Sequence, residues 1–231
     1  MIVNHQTGSN AKEHDHCHCL HEPCFRRFFT GTAVDCYAAI IYPKAPAGGA
    51  GMVEKMAGGA IRSDPPFFKG LHIEDLTVAA PCQSYSVGLT DLISGKLVSV
   101  AKTGVGGGWQ YPLLHGTRAV GLAWLTADGK TGNALKCYEL GGSADGKMEA
   151  LRVAEQLPQV KKQDYEIRSL DRPWFLFVAV WLHGKTDDII IPLPDRWGRW
   201  NGCQPYSPNQ IIELLKPEAE KKLKQLPGTV D

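Results

Sequence analysis

YEIRSLDRPWFLFVAVWLHGKTDDIIIPL, residues 165 to 193, is the stretch on which the reading of the fold turns. Residues 165 to 170, 174 to 182 and 188 to 193 are rich in β-branched, aromatic and aliphatic side chains, the composition of strands. Asp171-Arg172-Pro173 and His183-Gly184-Lys185 separate them. A parallel crossover needs a dozen or more residues, so strands joined this tightly pair antiparallel.

Working outward, residues 71 to 80, 84 to 90 and 96 to 102 carry the same apolar and β-branched signal, broken by Pro81-Cys82-Gln83 and Ser94-Gly95, and predict a meander. Residues 118 to 126 and 134 to 140 flank Asp128-Gly129-Lys130-Thr131-Gly132, whose glycines can supply the positive φ of a hairpin turn. Met148, Leu151, Ala154 and Leu157 recur at helical spacing over residues 144 to 156, with Asp145 placed to cap the start and Pro158 to stop the run. Ser207-Pro208-Asn209-Gln210 is a capping-box start for a second helix carrying Ile211, Ile212, Leu214 and Leu215, which Pro217 is expected to interrupt.

These elements predict an α+β fold: a mainly antiparallel sheet of meander and hairpins with two helices packed on one face, the alternative being a partly closed β-barrel with helices. One globular domain is expected over residues 25 to 231, behind a His/Cys-rich segment at residues 1 to 24. Residues 43 to 66, with Pro46-Ala47-Gly48-Gly49-Ala50-Gly51 and Gly58-Gly59, read as a long surface loop because Ala, Gly and Pro offer few side chains to fix a backbone.

Of the 231 residues, 43% are hydrophobic and 21% charged, a globular composition rather than that of a disordered chain. Lys plus Arg number 25 against 24 Asp plus Glu, for a net charge of +1. With no positive field to draw it to phosphate backbones, nucleic acid is not an expected partner. The longest apolar run, residues 174 to 182, is too short to cross a bilayer, so no membrane partner is expected. Met1 to Gln6 shows neither a basic nor an apolar leader region, which gives cytoplasm as the expected location.

The strongest chemical signal is His14-Asp15-His16-Cys17-His18-Cys19-Leu20-His21-Glu22-Pro23-Cys24. Imidazole nitrogen and thiolate sulfur are the donors that zinc and copper(I) prefer. His14, Cys17, His18 and His21 share a face if the segment is helical, and Cys19 and Cys24 extend the donor set. The spacing matches no zinc finger or ribbon, because Cys17-x-Cys19 is too tight and no second pair follows. The alternative is a solvated His-rich tail.

Two cysteines are candidate nucleophiles: Cys36, in Ala33-Val34-Asp35-Cys36-Tyr37, and Cys82 at a strand end, with His72, His115 or His183 as possible bases. A buried structural thiol is the competing reading. No nucleotide cofactor is expected: Gly129-Lys130-Thr131 and Gly184-Lys185-Thr186 lack the earlier glycine of a phosphate loop, and Trp109 stands where Gly104-Val105-Gly106-Gly107-Gly108 would need its last glycine. Trp197, Arg199 and Trp200 have the composition of interface anchors, or of a lid with Arg stacked on Trp. Asp187-Asp188 reads as a turn and not as paired carboxylates, since neighbours on a strand point to opposite faces.

The sequence thus predicts a non-enzymatic protein that binds a protein partner or a small ligand, with zinc or copper held by the N-terminal segment. A cysteine-dependent hydrolase using Cys36 or Cys82, or a metalloenzyme built on the His/Cys cluster, is the alternative.

Overall fold

The computed structural model of the chain describes residues 39–63, 70–103, 108–126, 132–133, 137–172, 176–195 and 198–225. In chain order the strands are β1 (Ile40–Ile41), β2 (Leu76–Val78), β3 (Cys82–Ser86), β4 (Lys102–Thr103), β5 (Trp109–His115), β6 (Arg118–Leu125), β7 (Gly132–Asn133), β8 (Tyr165–Arg172), β9 (Phe177–Gly184) and β10 (Asp188–Pro192). The α-helices among the described residues are α1 (Gly49–Ser63), α2 (Leu89–Ile93), α3 (Cys137–Gln156) and α4 (Pro208–Gln225).

One sheet gathers the strands in the order β10-β9-β8-β3-β5-β6-β7, with β1 beside β8, β2 beside β5 and β4 beside β3. The decisive stretch folds as its turns require: β8, β9 and β10 pair antiparallel, with Ile167 opposite Leu182 and Trp181 opposite Ile190. Strand β3 joins two antiparallel groups. It meets β5 antiparallel at Cys82 and Gln83, and it meets β8 parallel from Gln83 to Tyr85. The sheet is therefore mixed and open, and the class is α+β.

Both faces of this sheet are apolar. In β9 and β10, Val180, Leu182, Ile189 and Ile191 pack with Ala150, Leu151 and Ala154 of α3. The alternating residues Phe177, Ala179, Trp181 and Ile190 pack with Leu89 and Leu92 of α2 and with Ile211, Ile212, Leu215 and Ala219 of α4. On that second side, Tyr111, Leu113, Ala123 and Leu125 of β5 and β6 meet Val53 and Ala57 of α1. A strand that is apolar at every position needs cover on both sides. The expectation of helices on one face is corrected accordingly: α3 covers one face and α1, α2 and α4 the other.

Several sequence-based boundaries are also corrected. The Ala/Gly/Pro-rich region contains α1, not a long loop across residues 43 to 66. Alanine is the best helix former, and Val53 and Ala57, one turn apart, are fully buried, so small residues here let the helix approach the sheet. Residues 89 and 90, read as the end of a strand, begin α2. Residues 137 to 140, expected as the second arm of a hairpin, begin α3, which leaves Asp145 inside the helix and only the two-residue β7 paired with β6. Pro217 lies inside a continuous α4. The capping box forms as read: the backbone N–H of Ser207 donates to Gln210 Oε1 at 2.8 Å, and that of Gln210 donates to Ser207 Oγ at 3.4 Å.

Close approach also explains two glycines. A Cβ on Gly146 would lie 2.7 Å from Pro194 Cδ, and one on Gly49 would lie 2.2 Å from Tyr111 Oη. The Tyr111 hydroxyl is buried and has no hydrogen-bond partner among the described residues. Removing an unsatisfied buried hydroxyl recovers its desolvation cost, so Tyr111→Phe should leave stability unchanged or raise it by about 1 kcal/mol. Gly49→Ala should destabilise by about 1–3 kcal/mol through overpacking, and by less in the Tyr111→Phe background. Urea unfolding of the two single variants and the double variant measures this coupling.

Candidate functional site

The polar centre of the molecule lies under α3, where β3, β5 and β8 meet. Alternation along the strands points Cys82 and Ser84 of β3, Gln110 of β5, and Ser169 and Asp171 of β8 to the α3 face. Lys147 reaches down from α3. Its burial follows from the neighbouring Gly146, whose missing side chain lets the helix sit close to Pro194. Lys147 and Gln110 are each 1% exposed.

Lys147 Nζ donates to Gln110 Oε1 at 2.6 Å and contacts Cys82 Sγ at 2.8 Å. Gln110 Nε2 donates to Asp171 Oδ2 at 2.5 Å. Asp171 also accepts from Ser84 Oγ, and from Ser169 Oγ at 3.0 Å. An ammonium and a carboxylate are thus held apart by one amide that reads both, its carbonyl facing the cation and its NH₂ facing the anion. Such a network suits a dry interior because each charge is hydrogen-bonded.

Burial pushes the Cys82 thiol up from its ordinary value, although Lys147 pulls it down. Burial likewise raises the Asp171 carboxyl, opposed by its hydrogen bond from Ser84 and by Lys147. Tyr42, packed against the same core, is pushed up to about 12 by burial first, with Glu155 and Cys82 adding to it. A thiol nucleophile must meet substrate and ionise readily. Cys82 does neither easily, being 2% exposed.

A second polar group sits on the opposite face, at the ends of β8, β9 and β10 beyond the apolar core. Cross-strand register places Glu166 beside His183 and His183 beside Asp188, with Arg168 beside Trp181 in the next row. The Arg168 guanidinium lies against a pair of aromatic rings packed edge-on to each other, 4.7 Å from the Tyr85 centroid and 4.8 Å from that of Trp181. Its Nε donates to Glu166 Oε1 at 2.6 Å. Asp188 Oδ1 accepts from Trp181 Nε1 at 2.7 Å and faces His183 Nδ1 at 2.7 Å. A carboxylate can only accept, so Nδ1 is the donor in this contact. Asp187, by contrast, accepts from the Tyr165 hydroxyl at 2.7 Å, so the adjacent carboxylates serve different partners.

The donors of the N-terminal segment, His14, Cys17, His18, Cys19, His21 and Cys24, lie outside the described residues, as do Cys36 and Trp197. Among the described residues no cluster of three or more His, Cys, Asp or Glu side chains could hold a metal, and no helix is long and apolar enough to cross a membrane. Of the three anchor residues, Trp200 is 7% exposed, donates from Nε1 to the Leu193 carbonyl at 3.0 Å and packs edge-on to Phe177. Arg199 stacks 4.3 Å above it and pairs with Asp195. Trp200 therefore packs into this chain's own core.

Sequence reasoning missed Lys147, Gln110, Asp171, Arg168 and Glu166. A signal existed for some of them: Ser169 and Asp171 continue the inward alternation of Tyr165 and Ile167, polar residues at core positions. Lys147→Met and Asp171→Asn should each lower stability by about 3–5 kcal/mol, because removing one partner leaves the other buried without compensation. The double variant should cost less than the sum; denaturant unfolding checks both. Between the ordinary aspartate range and its raised folded value, Asp171 holds a proton that the unfolded chain has already lost, and above that value it is the carboxylate its donors bind. Its contribution is therefore complete below the ordinary aspartate range and declines as pH rises through the raised value. Asp171→Asn should flatten that decline in a stability profile measured from acid to neutral pH. Neither a family model, nor a curated protein, nor a solved structure matches this chain.

Proposed function

We propose that the protein is a non-enzymatic binding protein whose sheet face takes a ligand bearing a carboxylate or phosphate group at Arg168. One observation carries this reading. The guanidinium rests against the Tyr85–Trp181 pair and is steadied at Nε by Glu166, and its terminal amino groups have no hydrogen-bond partner among the described residues. A planar guanidinium oriented by aromatic contact and by an acceptor at Nε presents the edge formed by its terminal amino groups, and that edge recognises carboxylate or phosphate in bidentate fashion. His183, fixed by Asp188 and partly exposed, supplies a neighbouring polar group. Cys82 gives a hydrolase less support, being sealed in the core.

The N-terminal segment completes the reading as the element that takes zinc or copper, on its donor chemistry alone.

Titration of the full chain with inorganic phosphate and with succinate, followed by tryptophan fluorescence, tests the first half. A saturable change that weakens at least tenfold in Arg168→Met, and less in Arg168→Lys, is expected. Equal titration in the wild type and Arg168→Met, or no response to either anion, would overturn it. Metal analysis of untagged protein tests the second half: stoichiometric zinc or copper should be lost when Cys17, Cys19 and Cys24 are replaced together by serine. Sub-stoichiometric metal that the replacement does not change would remove the metal role.

A further inference from the structure

We infer that Cys82 and Lys147 form a covalent modification site, in which oxidation inserts one oxygen between the thiol sulfur and the lysine nitrogen and so ties α3 to β3. Three features carry the inference. First, Nζ lies 2.8 Å from Sγ. Sulfur is larger than oxygen, so an ordinary N–H···S contact is longer than the about 2.7–3.2 Å of N–H···O. The observed separation is one that a single bridging oxygen spans with little movement, whereas a direct S–N bond would require the two atoms to close by about 1 Å. Second, both side chains are buried, Cys82 at 2% and Lys147 at 1% exposure, and Gln110 holds Nζ from the other side at 2.6 Å. The pair is therefore fixed in the reacting geometry, and among the described residues Cys82 is in no disulfide. Third, a buried sulfenic acid meets little water and, among the described residues, no second thiol, so the group beside its oxygen when a second oxidation follows is the lysine amine.

With hydrogen peroxide as the oxidant the step balances. The first peroxide converts Cys82 S–H to S–OH and leaves as one water. The second accepts the hydroxyl hydrogen and one amine hydrogen as the O–N bond forms, and leaves as two waters. Written as a whole, the thiol, the neutral amine and two peroxides give S–O–NH and three waters. Starting from the ammonium, one further proton goes to solvent. Two-electron reduction of each new bond by a dithiol restores thiol and amine, so the link is reversible. Peroxide is small and uncharged and reaches the pair through local opening of the native state, which also relieves the burial that holds the thiol un-ionised and leaves Lys147 to favour the thiolate that reacts.

The test treats the folded full chain with hydrogen peroxide, blocks the remaining thiols, digests it and maps the peptides by mass spectrometry. Expected is a linked pair of peptides containing Cys82 and Lys147, heavier than their sum by one oxygen less two hydrogens and released by dithiothreitol. The linked pair should be absent from Cys82→Ser, and from Lys147→Arg, which keeps the buried charge should Lys147→Met fail to fold. The wild-type map stands without either variant. Cys82 recovered only as free thiol, sulfinic or sulfonic acid, or joined to another cysteine, with no Lys147 peptide attached, would overturn the inference.

Discussion

The Lys147 ammonium and the Asp171 carboxylate face each other across Gln110, the ammonium and the amide buried and the carboxylate half-buried. Much of the architecture answers to that arrangement. A cation reaching from α3 toward β5, and an anion on β8, need strands at fixed spacing and a helix at fixed height, because a displaced partner leaves a charge without compensation. The serines of β3 and β8 close the remaining valences of the carboxylate. Gly146 sets the height of the helix: a side chain there would strike Pro194 and lift Lys147 from its partners. Buried ionic groups of this kind contribute more to choosing one arrangement than to deepening its stability.

Around this centre the hydrophobic layers are conventional, and they were the legible part. The segment from β8 to β10 could be read because its turns are too short for anything but antiparallel pairing, and α4 because a capping box and an apolar stripe agree. The same apolar continuity in β9 and β10 also implied cover on both faces, an implication the count of two helices did not carry through. Helix α1 escaped because Ala and Gly speak for turns in isolation but for close packing once a sheet lies beneath them. Strand β5 escaped because a glycine run precedes it and Pro112 sits within it; the proline is accommodated next to the irregularity between Leu113 and Leu114.

The candidate sites were less legible, for a topological reason. Cys82 was visible as a thiol near a proline, yet what governs it is Lys147, brought beside it only when α3 crosses the sheet. Asp171 reads as a turn residue in the linear sequence because Arg172 and Pro173 follow it, while its side chain obeys the strand's alternation and points inward. Arg168 and Glu166 are ordinary surface residues in the linear sequence. They gain meaning from Tyr85 and Trp181, one on a strand reached through parallel pairing and the other through a hairpin. Trp200 shows the converse: its composition suggested a partner, and the fold supplies Phe177 and the Leu193 carbonyl instead.

Strand β3 touches β5 along one edge and β8 along the other, and this placement bears on how the chain reaches its native state. The β5–β6 hairpin and the β8–β9–β10 meander are made of contacts close in sequence, which form early because little chain entropy is lost in closing them. Joining β3 to β8 closes a far longer stretch of chain that includes all of α3, and pairings of that separation slow folding. The late event is then the docking of two preformed antiparallel halves, and the faces that meet carry Ser84 and Gln110 on one side and Ser169 and Asp171 on the other. A slip of register at this joint would leave those groups unmatched, so the polar seam proofreads the assembly of an otherwise greasy sheet.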